Sequence, residues 1–138
     1  MEKRTSVYKN VKTGRYYVQP YTIGPVAATE FGDPTVIEGD QFAGRIAGAV
    51  IENLEKFGKE EYDRARSRRL NPEQQKQFLK QHIGVSIHRL ESGAVAIYPL
   101  RHEGGGMVGS DEDTIILSEP DVPHKLTDAI AQAFQRAL

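Results

Sequence analysis

Residues 83–98 read Ile83-Gly84-Val85-Ser86-Ile87-His88-Arg89-Leu90, then Glu91-Ser92-Gly93, then Ala94-Val95-Ala96-Ile97-Tyr98. From Ile83 to His88 bulky apolar residues alternate with small or polar ones, and from Ala94 to Tyr98 bulky and small residues alternate. Both are the period of a strand with one buried face. Placing Leu90 opposite Ala94 brings Val85, Ile87, Val95 and Ile97 to a common face. A two-residue loop would turn one of those sets to the other side of the sheet. The stretch therefore predicts an antiparallel hairpin with a three-residue loop, Gly93 taking its left-handed position.

The same grammar occurs near the start of the chain. Val7-Tyr8-Lys9-Asn10-Val11 and Arg15-Tyr16-Tyr17-Val18-Gln19 are rich in β-branched and aromatic residues and flank Lys12-Thr13-Gly14, again read as a three-residue loop. Pro20 ends the second strand. Residues 20–40 are broken by Pro20, Gly24, Pro25, Gly32, Pro34 and Gly39, which leaves a surface connection with room for short extended pieces such as Val26-Ala27-Ala28-Thr29 and one edge strand. Beyond the two hairpin loops no internal repeat is visible.

Four helical stretches complete the reading. Phe42, Ile46, Val50, Leu54 and Phe57 recur every three or four residues between Asp40, the expected N-cap, and Gly58, the expected C′ residue. Ala43, Gly44, Ala47 and Gly48 flank that stripe and are expected to let a sheet approach closely. Residues 60–69 are charged and read as helical, with Tyr62 and Ala65 turned inward. Asn71-Pro72-Glu73-Gln74 opens a further helix with a cap, a proline at its first position and the partner of a capping box. The apolar run Thr114-Ile115-Ile116-Leu117 suits a buried strand. A last helix from about Pro123 carries Leu126, Ala129, Ile130, Ala133, Phe134 and Ala137 on one face. The expected fold is α+β: one domain over residues 1–138, an antiparallel sheet of four or five strands with two hairpins, packed against helices.

The 138 residues contain no cysteine, which excludes disulfides and thiolate metal sites. The polar start Met1–Ser6 leads into no apolar stretch, and nowhere is there the run of about 20 apolar residues that a membrane span needs. A cytoplasmic protein without membrane contact is expected. The net charge of -1 speaks against a nucleic-acid partner. The charge is nevertheless uneven, +5 over residues 56–89 and -5 over residues 90–138.

Motifs for chemistry are sparse. Arg101-His102-Glu103-Gly104-Gly105-Gly106-Met107-Val108-Gly109 is glycine-rich, but Asp111-Glu112-Asp113 follows it, where a phosphate loop needs a helix. It reads as a flexible loop between strands. His82, His88, His102 and His124 lack the spacing of a metal-binding helix, so no metal or other cofactor is expected. His82 and His102 face each other in the hairpin register, and Glu103 beside them makes an acid–base pair conceivable for a small enzyme. Arg64, Arg66, Arg68 and Arg69 form a basic cluster that an RNA-binding module would use, yet no aromatic residues interleave it. No serine sits in a nucleophile motif.

Val85–Leu90, followed by Ala96-Ile97-Tyr98-Pro99-Leu100-Arg101-His102-Glu103-Gly104-Gly105-Gly106, an apolar strand and a closing amphipathic helix, resembles the contact-dependent growth inhibition immunity proteins of bacteria over residues 78–138. That resemblance implies a non-enzymatic cytoplasmic protein whose partner is the C-terminal toxin domain of a large secreted effector, bound as a monomer in a 1:1 complex and blocked at its active site. Many such toxins are nucleases with basic clefts. Against a basic cleft, carboxylates would stand where phosphates belong, and Glu103, Asp111, Glu112 and Asp113 are the candidate toxin-binding residues.

Overall fold

The structure is a computed structural model that describes residues 2–66, 70–109 and 111–137. Its elements in chain order are β1 (Lys3–Asn10), β2 (Tyr16–Gln19), β3 (Tyr21–Ile23), β4 (Ala28–Glu30), β5 (Thr35–Ile37), α1 (Phe42–Lys56), α2 (Pro72–Gln81), β6 (His82–Arg89), β7 (Val95–Glu103), β8 (Gly106–Gly109), β9 (Ile115–Leu117) and α3 (Val122–Arg136). The main sheet runs β5-β2-β1-β6-β7, every pairing antiparallel. The outer edge of β7 is shared: β9 pairs with Val95–Ile97 and β8 with Leu100–Glu103. The class is the expected α+β, but among the described residues the main sheet has seven strands, and β3 and β4 form a separate pair.

The hairpin of residues 83–98 has the expected register. Ile87 faces Ile97, Arg89 faces Val95, and Val85, Ile87, Val95 and Ile97 are all fully buried. Leu90 N–H donates to Ala94 O at 2.8 Å and Gly93 sits at φ 89°, closing a three-residue loop. In the first hairpin Asn10 N–H donates to Arg15 O at 2.9 Å, so the loop is one residue longer than expected. The Asn10 side chain accounts for this. Its Oδ1 accepts from the backbone N–H of Lys12 and Thr13 and supports the wider turn. The glycine-rich stretch is a third hairpin rather than a flexible loop. Glu103 pairs with Gly106 across Gly104 and Gly105, at φ 61° and 78°, as a two-residue type I′ turn requires.

α1 and α3 lie on one face of the sheet and supply Ile46, Val50, Leu54, Leu126, Ile130 and Phe134 to the core. α1 differs from expectation at its start. A 3₁₀ turn, Gly39–Gln41, contains Asp40, and Gln41 takes the N-cap position without a side-chain capping bond. Gly58 does adopt the left-handed conformation at the other end, φ 75°. Gly44 and Gly48 face open space, because a Cβ added at either meets no atom within 4 Å. The sheet approaches along Ile46, Ala49, Val50 and Leu54 instead. In residues 60–69 the described part holds only the 3₁₀ turn Arg64–Arg66, with Tyr62 half-buried and Ala65 exposed, while Ser67, Arg68 and Arg69 lie outside the described residues. α2 has its capping box as expected: Gln74 N–H donates to Asn71 Oδ1 at 2.8 Å and Asn71 N–H to Gln74 Oε1 at 3.1 Å.

A repeat underlies the architecture. A shift of 80 positions carries β5 onto β9, the turn Gly39–Gln41 onto Glu119–Asp121 and α1 onto α3. It also carries the buried positions Ile46, Ala49, Val50, Asn53 and Leu54 onto Leu126, Ala129, Ile130, Ala133 and Phe134, all of them buried. The hairpins correspond too, Gly14 with Gly93, Val18 with Ile97 and Pro20 with Pro99, one position fewer because the second loop is shorter. The halves join through β1 and β6 around a pseudo-twofold axis. The symmetry breaks after the two prolines. Beyond Pro99, β7 continues in the main sheet with β8 as its partner, whereas beyond Pro20 the β3–β4 pair leaves it.

Candidate functional site

Residues that alternate with the core positions point away from α1 and α3. This second face of the sheet carries Arg4, Ser6 and Tyr8 of β1, Tyr17 and Gln19 of β2, Ser86 and His88 of β6, and Ala96, Tyr98 and Leu100 of β7. It is covered by the β3–β4 pair and by α2. The contacts beneath that cover are polar. The Ser6 and Tyr21 hydroxyls lie 2.8 Å apart, Tyr8 donates to Glu30 Oε1 at 2.5 Å, and the Tyr21 hydroxyl reaches the same oxygen at 3.3 Å. The Arg4 guanidinium lies over the Tyr21 ring, 4.7 Å from its centre. Burial, with Tyr21 and Glu30 as neighbours, pushes the Tyr8 hydroxyl well above the usual tyrosine range. The hydroxyl therefore stays protonated and donates to the carboxylate.

Gly84 makes this packing possible. A Cβ at position 84 would lie 2.8 Å from Tyr8 Cδ1 and 3.2 Å from Leu100 Cδ1, so the Tyr8 ring uses the space the glycine leaves on the neighbouring strand. His88 sits directly opposite Arg4. Its Nε2 is 3.1 Å from Ser86 Oγ and its ring meets Tyr98 edge-on at 5.0 Å. Burial first, and then Arg4, pull its pKa below the ordinary histidine value, and Glu2 opposes them.

Beside this cluster runs a groove of about 690 Å³ lined by Tyr8, Tyr17, Gln19, Asp33, Phe78 and His82, among others. Four of its rings form a chain. Tyr17 meets His82 edge-on at 6.0 Å, His82 stacks on Phe78 at 4.2 Å, and Phe78 meets Tyr8 edge-on at 5.1 Å.

The residues singled out from the sequence lie elsewhere or in different company. His102 Nε2 is 3.0 Å from the backbone oxygen of His82, not its ring, and His82 Nδ1 is 3.0 Å from Phe78 O. Glu103 pairs with Arg101, Nε to Oε2 at 3.0 Å, with both side chains about half exposed. Asp111, Glu112 and Asp113 are exposed in the turn between β8 and β9, and Arg136 donates to the Asp113 carbonyl at 3.1 Å. The β7–β8 hairpin separates the two acidic parts, with Glu103 at its tip and the turn at its base, about 10 Å away at the usual rise of a strand. Of the four candidate carboxylates, Glu103 thus stands apart from the other three. Among the described residues no group of three or more His, Asp or Glu side chains is placed to hold a metal ion. The second-face cluster was missed in the sequence because its members are scattered from Arg4 to Tyr98. Tyr8 and Tyr17 read simply as strand residues.

No family model matches the chain, and no curated protein matches it in sequence. Solved structures do. A protein of unknown function from Neisseria meningitidis superposes with a TM-score of 0.74 at 16% identity, covering 100% of this chain and 96% of that one. A chain of the CdiA-CT/CdiI toxin and immunity complex from Yersinia pseudotuberculosis superposes with a TM-score of 0.72 at 16% identity, covering 100% of this chain and 98% of that one. The fold is thus shared from end to end with both. Among the described residues no helix is long and apolar enough to cross a membrane.

Proposed function

We propose that this chain is an immunity protein, which binds the toxin domain of a contact-dependent growth inhibition system in the cytoplasm and neutralises it without chemistry of its own. The observation that carries this reading is the end-to-end likeness to a chain of the toxin and immunity complex from Yersinia pseudotuberculosis. The Arg101–Gly106 motif noted in the sequence adds to it, as the β7–β8 turn. In this reading one copy binds one toxin domain and occludes its active site.

The contact surface we favour is the acidic turn Asp111–Asp113. It is exposed, it belongs to the segment 90–138 with a -5 balance, and it can present carboxylates to a basic nuclease cleft. Glu103 contributes less, because Arg101 offsets its charge at the hairpin tip. The test is growth of cells that express the toxin domain encoded beside this protein. Co-expression is expected to restore growth, and continued arrest with soluble protein present would overturn the proposal.

A further inference from the structure

We propose that the groove beside the second-face cluster binds a small organic cation, a guanidinium or ammonium group carried on an apolar body. Two acceptors without a donor lie along it. Gln19 is 1% exposed, and its Nε2 donates to Pro20 O at 3.0 Å and to Gly32 O at 3.2 Å. Both amide hydrogens are thereby taken and the head group is fixed, which leaves Oε1 buried with no hydrogen-bond partner. The great majority of buried polar atoms have a partner, so this one calls for a donor brought into the groove. Asp33 follows Gly32 directly and lines the same groove. Its carboxylate is exposed and has no hydrogen bond or ion pair among the described residues.

Among the described residues that line the groove there is no lysine or arginine to neutralise Asp33. An anion would meet that carboxylate with nothing to offset it, whereas a cation supplies the missing charge. Tyr8, Tyr17, Phe78 and His82 make much of the remaining wall. Their rings contact one another and so form a closed, largely apolar surface, which suits the hydrocarbon body of the ligand. A guanidinium presents its donors in a planar fork that can serve two acceptors, and an ammonium presents three donors. A volume near 690 Å³ lies within the range of small-ligand sites.

The repeat shows that the shared frame does not require these groups. The position equivalent to Gln19 in the second half is Tyr98, and that equivalent to Tyr17 is Ala96. Phe78 lies in the linker between the repeats. A buried amide with an unmet acceptor therefore belongs to one side of the axis only, and the backbone is built on the other side without it.

The site does not depend on toxin binding, and its failure would leave the immunity reading standing. The experiment titrates the ¹⁵N-labelled full chain with butylguanidinium, butylammonium, butanol and butyrate, which share one hydrocarbon body, at low and high salt. Amide shifts centred on Tyr17, Gln19 and Asp33 are expected with the two cations, at least tenfold weaker binding with butanol and none with butyrate. The advantage of the positive charge should shrink with salt. Asp33→Asn removes an exposed charge that holds nothing else in place, so it should fold as the parent does and bring butylguanidinium within threefold of butanol. Gln19→Leu, with folding checked by its amide spectrum, should bind both cations at least threefold more weakly. The proposal is overturned if neither cation shifts these amides at millimolar concentration, if butanol binds as well as the cations, or if Asp33→Asn or a folded Gln19→Leu binds them as the parent does.

Discussion

Ser6 and Ser86 face each other across the β1–β6 pair, and each is also the other's counterpart under the shift of 80 positions. A residue paired with its own repeat lies on the symmetry axis, so the centre of the sheet is the join between the halves. Both serines are buried on the second face, yet their partners differ: Ser6 meets the Tyr21 hydroxyl, while Ser86 meets His88. The frame is duplicated and the chemistry laid over it is not.

The glycines separate frame from packing. Gly44→Ala and Gly48→Ala add a methyl group in open space on an exposed helix face, and each should stabilise the protein by roughly 0.5–1 kcal/mol. Gly84→Ala should do the opposite, costing about 1–3 kcal/mol by pressing on the Tyr8 ring. Urea melts of the three variants check this. A stable Gly84→Ala protein with an unmoved Tyr8 would contradict the packing described.

Leu54 is fully buried between α1 and the sheet. Truncation to alanine should cost about 2–5 kcal/mol, depending on how far the site collapses. A denaturant midpoint unchanged from the parent would show α1 to be peripheral.

Much of this was legible in the chain. The Val85–Ile97 register followed from side-chain parity, and the α2 capping box from four consecutive residues. The repeat escaped because burial keeps residue class rather than identity, pairing Ile46 with Leu126 and Leu54 with Phe134, while unequal loops shift the frame between the hairpins and the helices. Its faint traces were Gly14 with Gly93 and Pro20 with Pro99. The first loop was misjudged because Val11 was counted as a strand residue without weighing the Asn10 side chain before it as a turn former. The Tyr8–Glu30 contact depends on the β3–β4 pair reaching the second face, which no local pattern encodes.

His88 links stability to pH. Its folded pKa lies below the unfolded value of about 6.5, so the unfolded chain takes up the proton first. The resulting stability is present above pH ~6.5, falls as the pH drops through that value, and levels off below the folded pKa. His88→Gln should flatten this part of the profile, as measured by urea midpoints between pH 5 and pH 8. An unchanged slope in the variant would assign the dependence to other groups.

If the acidic turn meets a basic cleft, replacing Asp111, Glu112 and Asp113 by their amides should slow association and weaken its salt dependence, with a smaller effect on dissociation. Binding kinetics at two ionic strengths check this. Rates equal to the parent's would remove the turn from the contact surface.

The most direct measurement is calorimetric titration of the purified toxin domain with this protein. The account predicts saturable binding at one copy per toxin, with toxin activity lost in step with occupancy. Absence of heat and of inhibition, with both proteins folded, would contradict it.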